Sequence, residues 1–190
     1  MDSGKQQAAL IQRSDRRSAQ YGIEKDQVVS RRILAPEAIA EVNRRNGDLI
    51  RVAGPLMAEL YDFLSGTGYI LVLTDREGCI LSIMGDEEPM TAARELDMVV
   101  GAYMDERSIG TNAMGTAISE DAPAQISATE HFITAYHRWT CSAAPIHDDD
   151  GVIIGTLNLT GASSSVHPHT LGIVVAAVRS VELQLWNEKV

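Results

Sequence analysis

Gly110-Thr111-Asn112-Ala113-Met114-Gly115-Thr116-Ala117 is a run of small and hydroxyl-bearing residues with one long apolar side chain. Downstream stand Glu130-His131-Phe132, then Trp139-Thr140-Cys141-Ser142-Ala143-Ala144-Pro145-Ile146, then Gly155-Thr156-Leu157-Asn158-Leu159-Thr160-Gly161. The last two read as strands of a hairpin around Asp148-Asp149-Asp150-Gly151. An earlier hairpin pairs 69–74 with 79–84 around Asp75-Arg76-Glu77-Gly78. Between the hairpins, Gly101 to Tyr136 forms a long excursion. Connections in compact domains are commonly about two to six residues, so this crossing exceeds what topology needs. Long structured crossings over a sheet face build binding sites. Backbone amides at the helix start within 108–115 can approach a ligand, and Thr111 and Asn112 offer donors and acceptors. Capping of that helix by Ser108 or Thr111 is the competing reading.

Outward from this block the chain alternates helical and strand patterning. From Pro36 to Leu64 the apolar residues keep helical spacing, and Gly54-Pro55 predicts a kink or break inside the run. Short helices are expected around 112–119 and 129–136. Leu171, Val174, Val175, Val178, Val181 and Leu185 form a helical stripe, with Pro168 suited to its first turn. The order helix, hairpin, excursion, hairpin, helix predicts an α+β domain. Its antiparallel sheet carries long helices on one face and a lidded cavity on the other. Residues 1–35, polar and rich in Arg, read as a partly helical arm packed on the body or on a second copy, and 36–190 as the domain itself.

Composition narrows the function. The chain has 190 residues, 45% hydrophobic and 22% charged, enough for one substantial core. A net charge of −10 argues against direct contact with a nucleic-acid backbone. No apolar stretch approaches a membrane span, and no secretory h-region opens the chain. Two cysteines, Cys79 and Cys141, fit a reducing cytoplasm better than a disulfide framework.

Catalytic and metal readings are weak. His131, His137 and Cys141 lack zinc-site spacing, and adjacent Glu130 and His131 point to different sides of a helix rather than forming a relay. Cys141 sits in a strand with no helix N-terminus behind it, the setting of an inert buried thiol. In calcium-loop register the 148–151 turn places Ile146 first and Leu157 twelfth, so both key carboxylates are missing. No phosphate-binding Gly-rich loop and no helix-turn-helix is present, and no cofactor is expected. By strand alternation Thr156 and Asn158 share one face and Ile153, Leu157 and Leu159 the other; the first pair either floors the cavity or meets solvent. Phe132, Tyr136 and Trp139 concentrate aromatic surface beside the crossing, as core or as pocket wall.

The 108–161 blocks, in this order, resemble the N-terminal GAF sensor domain of sigma-54-dependent activators, in particular the regulators of acetoin and dihydroxyacetone catabolism. The resemblance extends from about Tyr21 to Leu185. It implies a non-enzymatic sensor that receives a small catabolite or a protein partner and controls an ATPase lying outside this chain. With the strand and aromatic readings, it makes Tyr69, Ile109, Thr111, Asn112, Thr116, His131, Phe132, Tyr136, Trp139, Cys141, Thr156 and Asn158 the candidate ligand-binding set. Gly101-Ala102-Tyr103-Met104-Asp105-Glu106 departs from the family's Gly-x-x-Trp-x-Glu pattern, with Met104 at the aromatic position. The terminal helices have the spacing to form a helical bundle in a homodimer.

Overall fold

Runs of Ile, Leu and Val ending at Asp and Gly turns form both hairpins. In the computed structural model, which describes residues 3–188, β1 (Ile70–Asp75) pairs with β2 (Ile80–Gly85), and β4 (Trp139–His147) with β5 (Ile153–Ala162). Positions 1–2 and 189–190 of the expected two-part division lie outside the described residues. A strand the sequence pattern does not mark, β3 (Ala124–Ser127), pairs with β4. The sheet order is β2-β1-β5-β4-β3, antiparallel throughout. The α+β expectation holds.

The helices are α1 (Ser3–Gln20), α2 (Pro36–Arg45), α3 (Gly47–Leu64), α4 (Glu87–Arg94), α5 (Glu106–Ile109), α6 (Ala113–Glu120) and α7 (Pro168–Asn187). Pro36 and Pro168 occupy first turns, where a missing N–H costs nothing. The break expected at Gly54-Pro55 lies earlier, at Asn46, and α3 runs through Pro55. Asn46 ends α2 with a side-chain bond from Nδ2 to the Val42 carbonyl, 2.8 Å, and its own backbone leaves helical geometry (φ −101°, ψ 20°). The helix expected over 129–136 resolves into two single 3₁₀ turns, 128–130 and 134–136, with His131 in extended backbone between them.

Strand alternation divides the interior into two cores. Leu71, Leu73, Leu157, Leu159, Ala144 and Ile146 pack beneath α3 and α7, against Val52, Met57, Val174, Val178 and Val181. The other face carries Ile70, Val72, Cys141, Ala143 and Ile126, covered by the excursion's Met98, Met104, Ile109, Met114, Ile133 and Tyr136. Each large apolar side chain so buried stabilises the fold by about 1.5–3 kcal/mol. Gly115 lets α6 approach the excursion backbone: a Cβ there would stand 2.7 Å from the Met104 carbonyl oxygen and 2.9 Å from the Glu106 nitrogen. Backbone cannot yield as a side chain would, so Gly115→Ala is expected to destabilise by about 1–3 kcal/mol in urea unfolding.

Helix α1 closes the excursion from outside, through polar contacts. Arg17 donates from Nε to Glu106 at 2.5 Å and from Nη1 to Glu120 at 2.6 Å, while Arg13 also reaches Glu120. Ser14 and Ser18 are fully buried beneath it.

Candidate functional site

Alternation along β4 and β5 turns Cys141, Asn158, Thr156 and Thr160 toward the excursion. Two of them join in a polar seam through Thr160: Asn158 donates to the Thr160 hydroxyl at 2.8 Å, and Thr160 donates to the Cys141 sulfur at 3.1 Å. Tyr136, from the excursion, shares this core with Cys141, and His131 meets Tyr136 edge-on with ring centroids 6.0 Å apart. Trp139 precedes Cys141 by two positions on the same strand face.

Four of these side chains keep a buried polar atom with no protein partner: His131 Nε2, Tyr136 OH, Trp139 Nε1 and Asn158 Oδ1. Such atoms cost about 1–3 kcal/mol each when left unpaired, so four of them among the side chains on this face of the sheet call for an explanation. Their complement can be read atom by atom. His131 Nδ1 faces the Ala128 carbonyl at 3.2 Å, which accepts only, so Nδ1 bears the proton and Nε2 is a bare acceptor. Asn158 Oδ1 is an acceptor, Trp139 Nε1 a donor, and the Tyr136 hydroxyl serves as either. His131 also lines a surface cleft of about 360 Å³ with Asp15, Ala19, Lys25, Thr129, Phe132 and His137.

Burial holds the seam neutral. It lowers the His131 pKa from 6.5 to about 4. It pushes the Cys141 thiol up to about 12, against a smaller opposing effect of the Thr160 bond, so no thiolate forms at neutral pH. Tyr136 is likewise raised above its ordinary value by burial. Because His131 has a depressed folded pKa, the unfolded chain takes up its proton first as pH falls. Stability is therefore expected to drop from about pH 6.5 downward, by roughly 3 kcal/mol once pH is below 4. The check is the His131 ring signal in NMR, expected to stay fixed between about pH 8 and 5; a midpoint near 6.5 would contradict the buried neutral ring.

The remaining candidates fall elsewhere or are otherwise engaged. Tyr69 is a correction: Ile70 faces the excursion, so its neighbour faces the helices, where the ring lies on Gly161 and the hydroxyl donates to the Ser165 carbonyl at 3.0 Å. Thr111 donates to Asp15 at 2.6 Å, and the Thr116 hydroxyl meets Ser14 at 3.0 Å, so both anchor α1. Asn112 is the N-cap of α6: Oδ1 accepts from Gly115 N, and Nδ2 donates to the Met104 and Gly110 carbonyls, each at 2.8 Å. Capping thus falls to Asn112, not to Ser108 or Thr111. Thr156 pairs with Thr74 at 2.8 Å, Ile109 is core, and Phe132 is half-buried at the cleft. Glu130 turns away from His131 and accepts from Ser127 N at 2.7 Å. Sequence reasoning missed Thr160, whose hydroxyl joins Asn158 to Cys141; its alternation with Thr156 and Asn158 was the available signal.

A wider cleft of about 800 Å³ opens between α2 and the β1–β2 turn. Of its three arginines, Arg32 and Arg45 pair with Glu77 and Glu41, Arg76 is the third, and among the described residues none of its lining side chains holds an unpartnered buried polar atom. The seam is the better candidate.

The GAF domain model matches residues 48–185. A signal-transduction and transcriptional-control protein of Clostridium beijerinckii is 44% identical over 95% of this chain and 28% of its own length. The acetoin dehydrogenase operon transcriptional activator of Bacillus subtilis is 30% identical over 81% of this chain and 26% of its own. The chain thus spans about a quarter of the length of these relatives. Among solved structures, the E. coli DhaR(N)–DhaL complex aligns with a TM-score of 0.89 at 23% identity, over 95% of this chain and 62% of that one; at this identity the likeness shows the fold.

Proposed function

Since the chain belongs to the GAF domain family, we propose that it is the sensing module of a transcriptional regulator and that its effector is a small neutral hydroxy-ketone or polyol held at the polar seam. The observation that carries this reading is the set of unpartnered atoms: two acceptors, one donor and one hydroxyl, all on uncharged side chains. A molecule bearing hydroxyl and carbonyl groups supplies the complement, and the Bacillus relative is named for an operon that handles one. The module performs no chemistry of its own: the Cys141 thiol is buried and protonated, and His131 has no nucleophile to activate. Two copies associate through their terminal helices, and the ATPase and DNA-binding functions lie outside this chain.

The experiment is a thermal-shift panel of acetoin, glycerol, dihydroxyacetone, simple alcohols and organic acids. A selective ligand of the folded state raises its unfolding midpoint. Tyr136→Phe sharpens the test. It removes a hydroxyl with no protein partner, so the free domain is expected to lose little or no stability. Affinity is expected to fall about 3- to 10-fold with the lost hydrogen bond. A ligand bound equally well by both proteins is not held at the seam.

One observation favours a second reading. DhaR(N), which shares the fold, was crystallised with a protein, DhaL. A panel without any stabilising compound would favour a protein as the signal.

A further inference from the structure

Where β4 ends, three elements meet on one imidazole. His147 Nε2 lies 2.7 Å from Asp121 Oδ1, at the end of α6, and Nδ1 lies 3.0 Å from Glu182 Oε1, on α7. The same Glu182 oxygen accepts from the His147 backbone N–H at 2.9 Å, which fixes the carboxylate on the strand end. Asp121 is held in left-handed backbone (φ 48°, ψ 48°), so its carboxylate is presented by a defined turn. Both acceptors are carboxylates, and a neutral imidazole has one N–H. Only the imidazolium can donate to both at once. We propose that Asp121–His147–Glu182 is a proton-held coupling between the excursion and the C-terminal helix.

Its position suits that role. α6 starts at the Asn112 cap, two residues past Gly110, which packs on Phe132 beside His131, and it ends at Asp121. A shift of this eight-residue helix at its capped end must be felt at the bridge. A cleft of about 200 Å³ lies beside His147, lined by Asp121, Pro145, Val178, Arg179 and Glu182. The charged groups around the ring are Asp121 from the end of α6 and Arg179 and Glu182 from α7, while the carboxylate of the adjoining Asp148 accepts from Asp150 N and Val152 N within its own turn. Burial opposes the charged ring, but the bonds to Asp121 and Glu182 outweigh it and raise its pKa above 6.5. The raised pKa sets the sign: the bridge is complete at acid pH and is lost as pH rises through the folded pKa. The coupling's use as a signal rests on the sensor reading; its existence does not.

The test therefore uses protons and no effector. Asp121→Asn touches only the excursion end, at an exposed position where Asn tolerates left-handed backbone. At pH 6 it is expected to speed amide exchange in α7 around Glu182 by about threefold or more, after correction for intrinsic rates. At pH 9, or in a His147→Gln background, the same substitution is expected to leave α7 unchanged. Glu182→Gln read at the α6 end provides the reciprocal measurement. Indifference of α7 to Asp121→Asn at pH 6 would overturn the coupling, and so would an equal response with His147→Gln. A silent effector panel would not touch this result.

Discussion

Arg17→Ala is expected to cost about 3 kcal/mol of folding stability, read as a shift of the urea midpoint. The reason lies with its partner. Glu106 is 2% exposed, and Arg17 supplies two bonds to its carboxylate, from Nε at 2.5 Å and Nη2 at 2.8 Å. Ser14 donates a third at 2.6 Å. Removing the guanidinium leaves a buried carboxylate with one neutral donor, and breaking such a pair is far costlier than the pair itself is stabilising. Glu106→Gln in the Arg17→Ala background is expected to restore part of the loss by removing the orphaned charge. A cost under about 1 kcal/mol would mean that water replaces Arg17 at Glu106 and that α1 is not needed to exclude it.

Asn112→Ala ranks beside it, with an expected loss of about 2–4 kcal/mol. The substitution removes the cap on Gly115 N and leaves two buried carbonyls, Met104 and Gly110, without their donor. Asn112→Asp separates the contributions. It keeps the cap acceptor but sets a carboxylate against both carbonyl oxygens, so it is expected to be at least as damaging. A tolerated Asp would show that the cap alone matters. Either result bears on ligand assays: lost binding in Asn112→Ala would report a disordered excursion, whereas Tyr136→Phe reports the seam.

The sequence made the frame legible because hairpins and helix stripes are local signals. The β1–β2 and β4–β5 turns, the α7 stripe and the α+β order could all be read from spacing. β3 escaped notice because four residues, Ala124 to Ser127, are too few to show a period, and pairing with β4 alone makes them a strand. The break at Asn46 escaped notice because a side chain turning back on Val42 leaves no trace in hydrophobic spacing, whereas Gly54-Pro55 looks like a stop. Part of the arrangement around the candidate residues was legible. Alternation put Asn158 on the face with Thr156, and aromatic clustering singled out Tyr136 and Trp139 beside the crossing, where the structure buries them. It could not reveal that Thr111 and Thr116 serve α1, because their partners lie about a hundred positions away.

The alternation along β5 has a consequence for how such a module can diversify. Thr156, Asn158 and Thr160 face one core while Leu157 and Leu159 face the other. If the seam receives the signal, recognition and relay stand on interleaved positions of a single strand, each facing a different layer. On that reading, alternate residues could be exchanged to accept a new chemical signal while the bed on which α3 and α7 rest keeps its shape. Chemical specificity and mechanical output would then drift independently, although no more than one peptide unit would separate their determinants.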